Sequence, residues 1–280
     1  MSKDTLLSFS GHEGLLEDVH GTNGTEIVRM PAERSAKEKT RFSTCEFVDI
    51  HCHILPKLDE GPQTVEESLR MIQLARNDGI SGIVATPHII GGVYNNTKEI
   101  IGRAISELKG LANQVEIYMG AEIRIDRGLE ERVDSNEIPL INNKKFILLE
   151  LPAYVIPPLN ELEIIIKGLR NRQIRPIFAH PERNVPIMKD FSIMERLIRC
   201  GALFQMTAMS VTDRAMHRSA LKMVKKGYIH VVASDAHDAR KRPPILSNAY
   251  EMISKKVSSE VAERLFMCNP LRIIQGKDII

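Results

Sequence analysis

The 280-residue sequence predicts an α/β fold built on parallel strands. Three observations carry this expectation. First, from Phe47 onward short apolar runs rich in Val, Ile and Phe alternate with amphipathic stretches. Second, there are seven such runs, and strands that alternate with helices pair in parallel through right-handed crossovers. Third, all but the third and sixth runs end at, or within two residues of, a His, Asp or Glu, and Glu122 lies three residues past the third. A closed barrel and an open doubly wound sheet both satisfy the first two. No Gly-rich phosphate loop follows the first run, which weakens the nucleotide-binding open sheet.

Residues 1–45 stand apart. They are rich in Gly, Glu, Lys, Ser and Thr, show no apolar period, and cluster charge between Ala32 and Arg41. A flexible extension is expected there, with His12 and His20 solvated, and one folded unit over 46–280. Strands are expected at 47–53, 82–86, 115–119, 146–151, 176–179, 203–206 and 230–233. Thr64, with Glu67 three residues on, opens the first helix as a capping box. Leu69, Ile72 and Ala75 share its apolar face, and Gly79 closes it. Further helices are expected at 97–112, 160–172, 192–200, 213–226 and 258–266.

Composition narrows the function classes. Hydrophobic residues make up 43% and charged residues 26%, a globular profile. A net charge of +2 without a basic block argues against nucleic-acid binding. No apolar run is long enough to span a bilayer, and the polar start lacks a signal-peptide core, so a cytoplasmic protein without membrane insertion is expected. Cys45, Cys52, Cys200 and Cys268 match no zinc-ribbon spacing. A cysteine-nucleophile phosphatase needs Arg six residues after its Cys. His51, Leu58, Met206 and Ile274 stand there instead, which excludes that mechanism.

The strand ends carry His51 and His53, His88, Glu122, Glu150, His180, and Asp235 with His237. Barrel enzymes build their sites on that face. Each residue alone has a bland reading as an edge-strand or surface group. Together they place eight ligand-type side chains at six strand ends, and burying them would be costly without a compensating metal or partner group. His51 and His53 are two apart on a strand, so both rings share one face. Imidazole plus carboxylate, with no dedicated thiolate, suits Mn²⁺, Fe²⁺/³⁺ or Zn²⁺. Eight or nine ligands exceed one ion, so two or three clustered ions are expected, bridged by Glu122. Such a site suits in-line displacement at phosphorus. Arg183 and, less distinctively, Arg242 are the candidate phosphate-binding guanidinium groups.

These residues resemble a known family. Asp49-Ile50-His51-Cys52-His53-Ile54-Leu55-Pro56 followed by Asp59-Glu60-Gly61-Pro62 looks like the opening of the polymerase and histidinol phosphatase (PHP) superfamily. More narrowly, it resembles the bacterial capsule-type protein tyrosine phosphatases. Ile83-Val84-Ala85-Thr86-Pro87-His88, Gly120-Ala121-Glu122-Ile123-Arg124, His180-Pro181-Glu182-Arg183, and Ala233-Ser234-Asp235-Ala236-His237 with Arg242-Pro243-Pro244 match its later motifs. The resemblance spans about residues 47–275. It implies a distorted (β/α)₇ barrel of the TIM-like PHP type and a trinuclear site, with manganese foremost and iron or zinc as alternatives. It implies His51, His53, His88, Glu122, Glu150, His180, Asp235 and His237 as ligands, with Asp235, Arg183 and Arg242 as catalytic residues. The implied substrate is phosphotyrosine on a bacterial tyrosine kinase of exopolysaccharide or capsule synthesis. A homo-oligomer is left open. Glu60 stands where the family usually has an aspartate ligand, so it enters the ligand set with a longer reach. The 45-residue extension is also unusual for the family. The rival readings are a small-molecule phosphatase of the histidinol-phosphate kind, an amidohydrolase, and a degenerate barrel serving as a binding module.

Overall fold

The structure, a computed structural model, describes residues 46–111 and 115–279. The expected extension at 1–45 lies outside these residues. Nine strands are present among them. They are β1 (Phe47–Cys52), β2 (Ile80–Ala85), β3 (His88–Ile89), β4 (Glu116–Met119), β5 (Glu122–Arg124), β6 (Phe146–Glu150), β7 (Arg175–Ala179), β8 (Leu203–Thr207) and β9 (Val231–Ala233). Every ladder between them is parallel, as the alternation with helices requires.

The ladders form two sheets, ordered β1-β2-β4 and β3-β5-β6-β7-β8-β9, rather than one closed ring. The parallel α/β architecture is as expected, and it comprises nine strands in these two sheets where seven strands were expected. The expected runs form, and two short strands not expected, β3 and β5, follow β2 and β4 across Thr86-Pro87 and Gly120-Ala121. Pro87 has no N–H to donate. Gly120 passes so close to β2 that a Cβ on it would lie 2.6 Å from Val84 Cγ1. Across the other edge, His53 N–H donates to Ala236 O at 2.8 Å and Asp235 N–H donates to His51 O at 2.8 Å, so β1 meets the segment that follows β9.

The expected helices form. In Val65–Asn77 the Thr64 hydroxyl accepts from Glu67 N–H, while the Glu67 carboxylate accepts from Gln63 N–H one residue outside the cap. Gly79 follows this helix as expected. Ser247–Lys256 and Asn269–Gln275 were not anticipated. The first of these has no local side-chain cap. Its start is held by Asp78, which is distant in sequence and accepts from Leu246 and Ser247 N–H.

Burial follows the strand period. Phe146 and Leu148 of β6, Ile177 and Ala179 of β7, Leu203 of β8, and Val231 and Ala233 of β9 join Val48, Ile50 and Val84 in one small apolar cluster. The intervening Ile147, Leu149, Phe178, Phe204, Met206 and Val232 point the other way, into the larger cluster shared with the helices. Continuing the first parity toward the C-terminal strand ends brings Glu150, Gln205, Thr207 and Asp235 onto the face of the smaller cluster. The β1–β2 register is irregular between Asp49 and Cys52. That irregularity carries His51 and His53 onto the same face after Ile50.

Candidate metal centre

All nine expected ligands converge at the C-terminal strand ends. Three sets have donor atoms mutually within 4.8 Å: His53, His88 and His237; His51, His53 and Asp235; and His88, Glu122 and Glu150. Glu122 is the hub. Its Oε2 lies 3.3 Å from His51 Nε2, 3.3 Å from His53 Nε2 and 3.1 Å from His88 Nδ1. Its Oε1 is 2.8 Å from His180 Nε2, which brings His180 to the edge of the sets. Glu60 lies at another edge, with Oε1 3.0 Å from His88 Nε2 and 3.5 Å from His237 Nε2, so the longer side chain does reach the cluster. Glu60 keeps 45% side-chain exposure, whereas Glu122 and Asp235 each keep 1%.

Hydrogen bonds aim the first two rings. His51 Nδ1–H donates to Gln205 Oε1 at 2.9 Å. The same Oε1 faces His180 N–H at 3.4 Å, a second donor that supports this orientation of the amide. His53 Nδ1–H donates to Asp59 Oδ2 at 2.7 Å, and that oxygen also accepts from His88 N–H at 3.0 Å. Asp59 Oδ1 accepts from Gly61 N–H at 2.8 Å, where a Cβ on residue 61 would stand 2.6 Å from His53 O. With both Nδ1 atoms engaged as donors, the two Nε2 atoms point inward and face each other at 3.1 Å. Two inward ring nitrogens beside two buried carboxylates could hold a cation, because lone pairs crowded this way repel unless a proton or metal ion lies between them. Both the chemistry and the burial of the donors therefore fit metal ions.

The electrostatics agree. Burial opposes charge on His53, but Asp59 and Glu122 outweigh it and raise its pKa to about 10. The pull that favours the proton also makes Nε2 a stronger donor toward a metal. Burial pushes the Glu122 carboxyl up, yet His51 and His180 hold it well below the usual carboxylate range. Asp235 is likewise depressed, against its burial, by His51 and Arg183.

The two expected arginines meet at Asp235. Arg183 Nη2 lies 2.6 Å and Arg242 Nη2 2.8 Å from Asp235 Oδ2. The other oxygen, Oδ1, faces His51 at 3.4 Å, His53 at 3.7 Å and His237 at 3.7 Å. Arg240 and Lys241 stay exposed, so the structure separates Arg242 from the solvated charges beside it. The turn carrying Arg183 is pinned by Glu182, whose Oε1 accepts from Thr207 N–H and Ser210 Oγ–H. His180 and Asp235 both hold left-handed backbone, at φ 31° and 52°. Such residues persist where surrounding bonds over-determine them, commonly at functional sites.

Sequence reasoning missed Gln205, Thr207, Asp59 and Glu182. Gln205 carried a readable signal: a polar side chain with the inward parity of Leu203 in an otherwise apolar strand. Asp59 enters the sequence reading only within the Asp59-Glu60-Gly61-Pro62 motif.

The sequence profile described as Capsular polysaccharide synthesis, CpsB/CapC, matches residues 47–275. The putative tyrosine-protein phosphatase CapC of Staphylococcus aureus is 34% identical over 211 residues, covering 73% of this chain and 82% of that protein. Tyrosine-protein phosphatase YwqE of Bacillus subtilis is 33% identical, covering 77% and 87%. A chain from the crystal structures of YwqE from Bacillus subtilis and CpsB from Streptococcus pneumoniae, called unique metal-dependent tyrosine phosphatases, superimposes with a TM-score of 0.78 at 30% identity, covering 83% of this chain and 96% of that one. With its fold, its strand-end histidines and carboxylates, and its profile in agreement, the chain belongs to the CpsB/CapC family of capsular polysaccharide synthesis proteins.

Proposed function

We propose that this chain is a metal-dependent protein-tyrosine phosphatase acting on phosphorylated tyrosine kinases of exopolysaccharide or capsule synthesis. The observation that carries the reading is Asp235. One of its oxygens faces the histidine cluster and the other holds both Arg183 and Arg242, so a cation site and a phosphate site share one carboxylate. Residues 46–280 act as the catalytic domain, its two parallel sheets being the arcs of a distorted (β/α)₇ barrel. His51, His53, Glu60, His88, Glu122, Glu150, His180, Asp235 and His237 would hold two or three ions, manganese first, with Glu122 the carboxylate nearest to most of the other donors. When bound, these ions supply Lewis-acid polarisation and neutralise charge on the phosphoryl oxygens.

The chain's own residues do the rest. Arg183 and Arg242, each about one-third exposed, offer planar donors to the non-bridging oxygens of an incoming phosphate. Asp235 Oδ2 keeps the two guanidinium groups converged before substrate arrives. Gln205 and Asp59 keep His51 and His53 turned inward. Tyrosine's phenol has a pKa of about 10, so it departs with less help from a general acid than an alkyl alcohol needs. Among the described residues no helix is long and apolar enough to cross a membrane. A cytoplasmic location is part of this reading.

The test is hydrolysis of a phosphotyrosine peptide by protein purified without chelator, then after EDTA, then after Mn²⁺ is restored. Activity lost and regained supports the reading. Faster turnover of histidinol phosphate than of the peptide would replace the substrate, and no turnover in any state would replace the enzyme with a binding module.

A further inference from the structure

The three arginines on this face are not equivalent. Arg183 and Arg242 share Asp235, whereas Arg124 addresses Glu150 alone. Arg124 and Glu150 are direct partners in the parallel β5–β6 register, so their side chains rise from the same point of the sheet. Arg124 Nε and Nη2 both lie 2.8 Å from Glu150 Oε2, while Ile125 N–H donates to Glu150 O at 3.1 Å. Side chain and backbone of Glu150 are thus gripped from one neighbouring strand. Glu150 itself is only 13% exposed and stands at the rim of the cluster, with Oε1 4.0 Å from His180 Nε2 and Oε2 4.0 Å from His88 Nδ1. Unlike His51, His53 and Glu122, Glu150 has its side chain fixed by no other hydrogen bond among the described residues.

We infer that Arg124 is a positioning residue of the metal centre, holding Glu150 so that its carboxylate would be presented, together with His88 and Glu122, to a bound ion. The inference rests on the metal-centre reading of the preceding section. Two effects compete. A guanidinium fork that orients a ligand carboxylate strengthens metal binding, typically 10–100-fold. Its positive charge, in contrast, repels the ion. Orientation prevails because Glu150, a glutamate with three rotatable bonds at the edge of the site, has nothing else to fix it, and because solvent screens a guanidinium that is about one-third exposed.

The experiment loads the full chain with Mn²⁺ alone and measures retained metal against graded chelator for wild type, Arg124→Gln, Arg124→Lys, Glu150→Gln and the Arg124→Gln/Glu150→Gln double variant. Melting of each apo protein is followed in parallel. Arg124→Gln is expected to lose metal at a tenfold or more lower chelator concentration. Arg124→Lys should recover part of that loss, and the double variant should be no worse than Glu150→Gln alone. Apo melting should be unchanged across the set. Unchanged or tighter retention in Arg124→Gln, with Glu150→Gln impaired, overturns the inference and leaves the metal centre standing. So does a rise confined to the KM for phosphotyrosine peptide, which would make Arg124 a substrate contact. Unchanged retention in Glu150→Gln removes the reading on which the inference rests. Should Arg124→Gln fail to fold, Arg124→Lys decides: it keeps the charge but loses the fork, so wild-type retention in it overturns the positioning role.

Discussion

Replacing Gln205 by Leu should separate metal affinity from fold stability. Gln205 is fully buried, and its Oε1 accepts from His51 Nδ1–H at 2.9 Å and faces His180 N–H at 3.4 Å. Leucine leaves His51 Nδ1–H without an acceptor, a penalty of about 1–3 kcal/mol for a buried donor. But Gln205 Nε2 is already buried with no hydrogen-bond partner, so the same substitution removes an unsatisfied donor of comparable cost. The two nearly cancel, and the apo protein should melt within a few degrees of wild type. Metal binding enjoys no such cancellation. Once the bond that fixes its tautomer and angle is lost, His51 no longer presents Nε2 reliably, and affinity should fall about 10–100-fold. At saturating Mn²⁺ the same loss subtracts about 1.4–2.7 kcal/mol from the stabilisation that metal confers. The assay is thermal melting with and without graded Mn²⁺, paired with the chelator concentration that removes half the metal. Wild-type chelator resistance would refute the reasoning, and so would an apo protein several kcal/mol less stable.

Further outcomes follow from the same geometry. Arg183→Lys and Arg242→Lys should each raise the KM for phosphotyrosine peptide at least several-fold while leaving retained Mn²⁺ near wild type, because the converged planar donors are lost and the charge is kept; steady-state kinetics beside metal analysis reads both. Glu60→Gln should weaken metal retention with a stability change within about 0.5 kcal/mol, because this carboxylate faces His88 and His237 yet is nearly half exposed; chelator titration and melting check it. His230 lies away from the centre, where burial and then Arg175 depress its pKa from 6.5 to about 4, and its Nδ1 accepts from Phe204 N–H. Below pH 6.5 the unfolded chain takes up a proton that the folded chain refuses, so the wild type should lose stability as the pH falls through this window, by about 3 kcal/mol at pH 4 and below. His230→Asn keeps an acceptor without titrating, and should flatten that part of the denaturation profile. An unchanged pH dependence would contradict the account.

The parallel α/β architecture from 47 onward was legible in the sequence, because short apolar runs alternating with amphipathic stretches have few other ways to be buried. It also determined where the chemistry lies. Side chains such as Glu150, His180 and Asp235 end runs that must be interior, and charge at the end of a buried strand needs a partner. Tertiary structure alone decided what those residues do for each other. Asp235 shows no sign in its local sequence that one oxygen faces imidazoles and the other two guanidinium groups, since those groups come from β1, the turn after β7 and the loop before 247. Nor does the spacing of Arg240, Lys241 and Arg242 reveal which one turns inward. Gln205, Thr207 and Asp78 act through partners distant in sequence, beyond the reach of any local pattern. The break in the sheets at Pro87 and Gly120 was equally hidden. A proline and a close-passing glycine interrupt the ladder only where a neighbouring strand is placed against them, and that placement is a property of the folded chain.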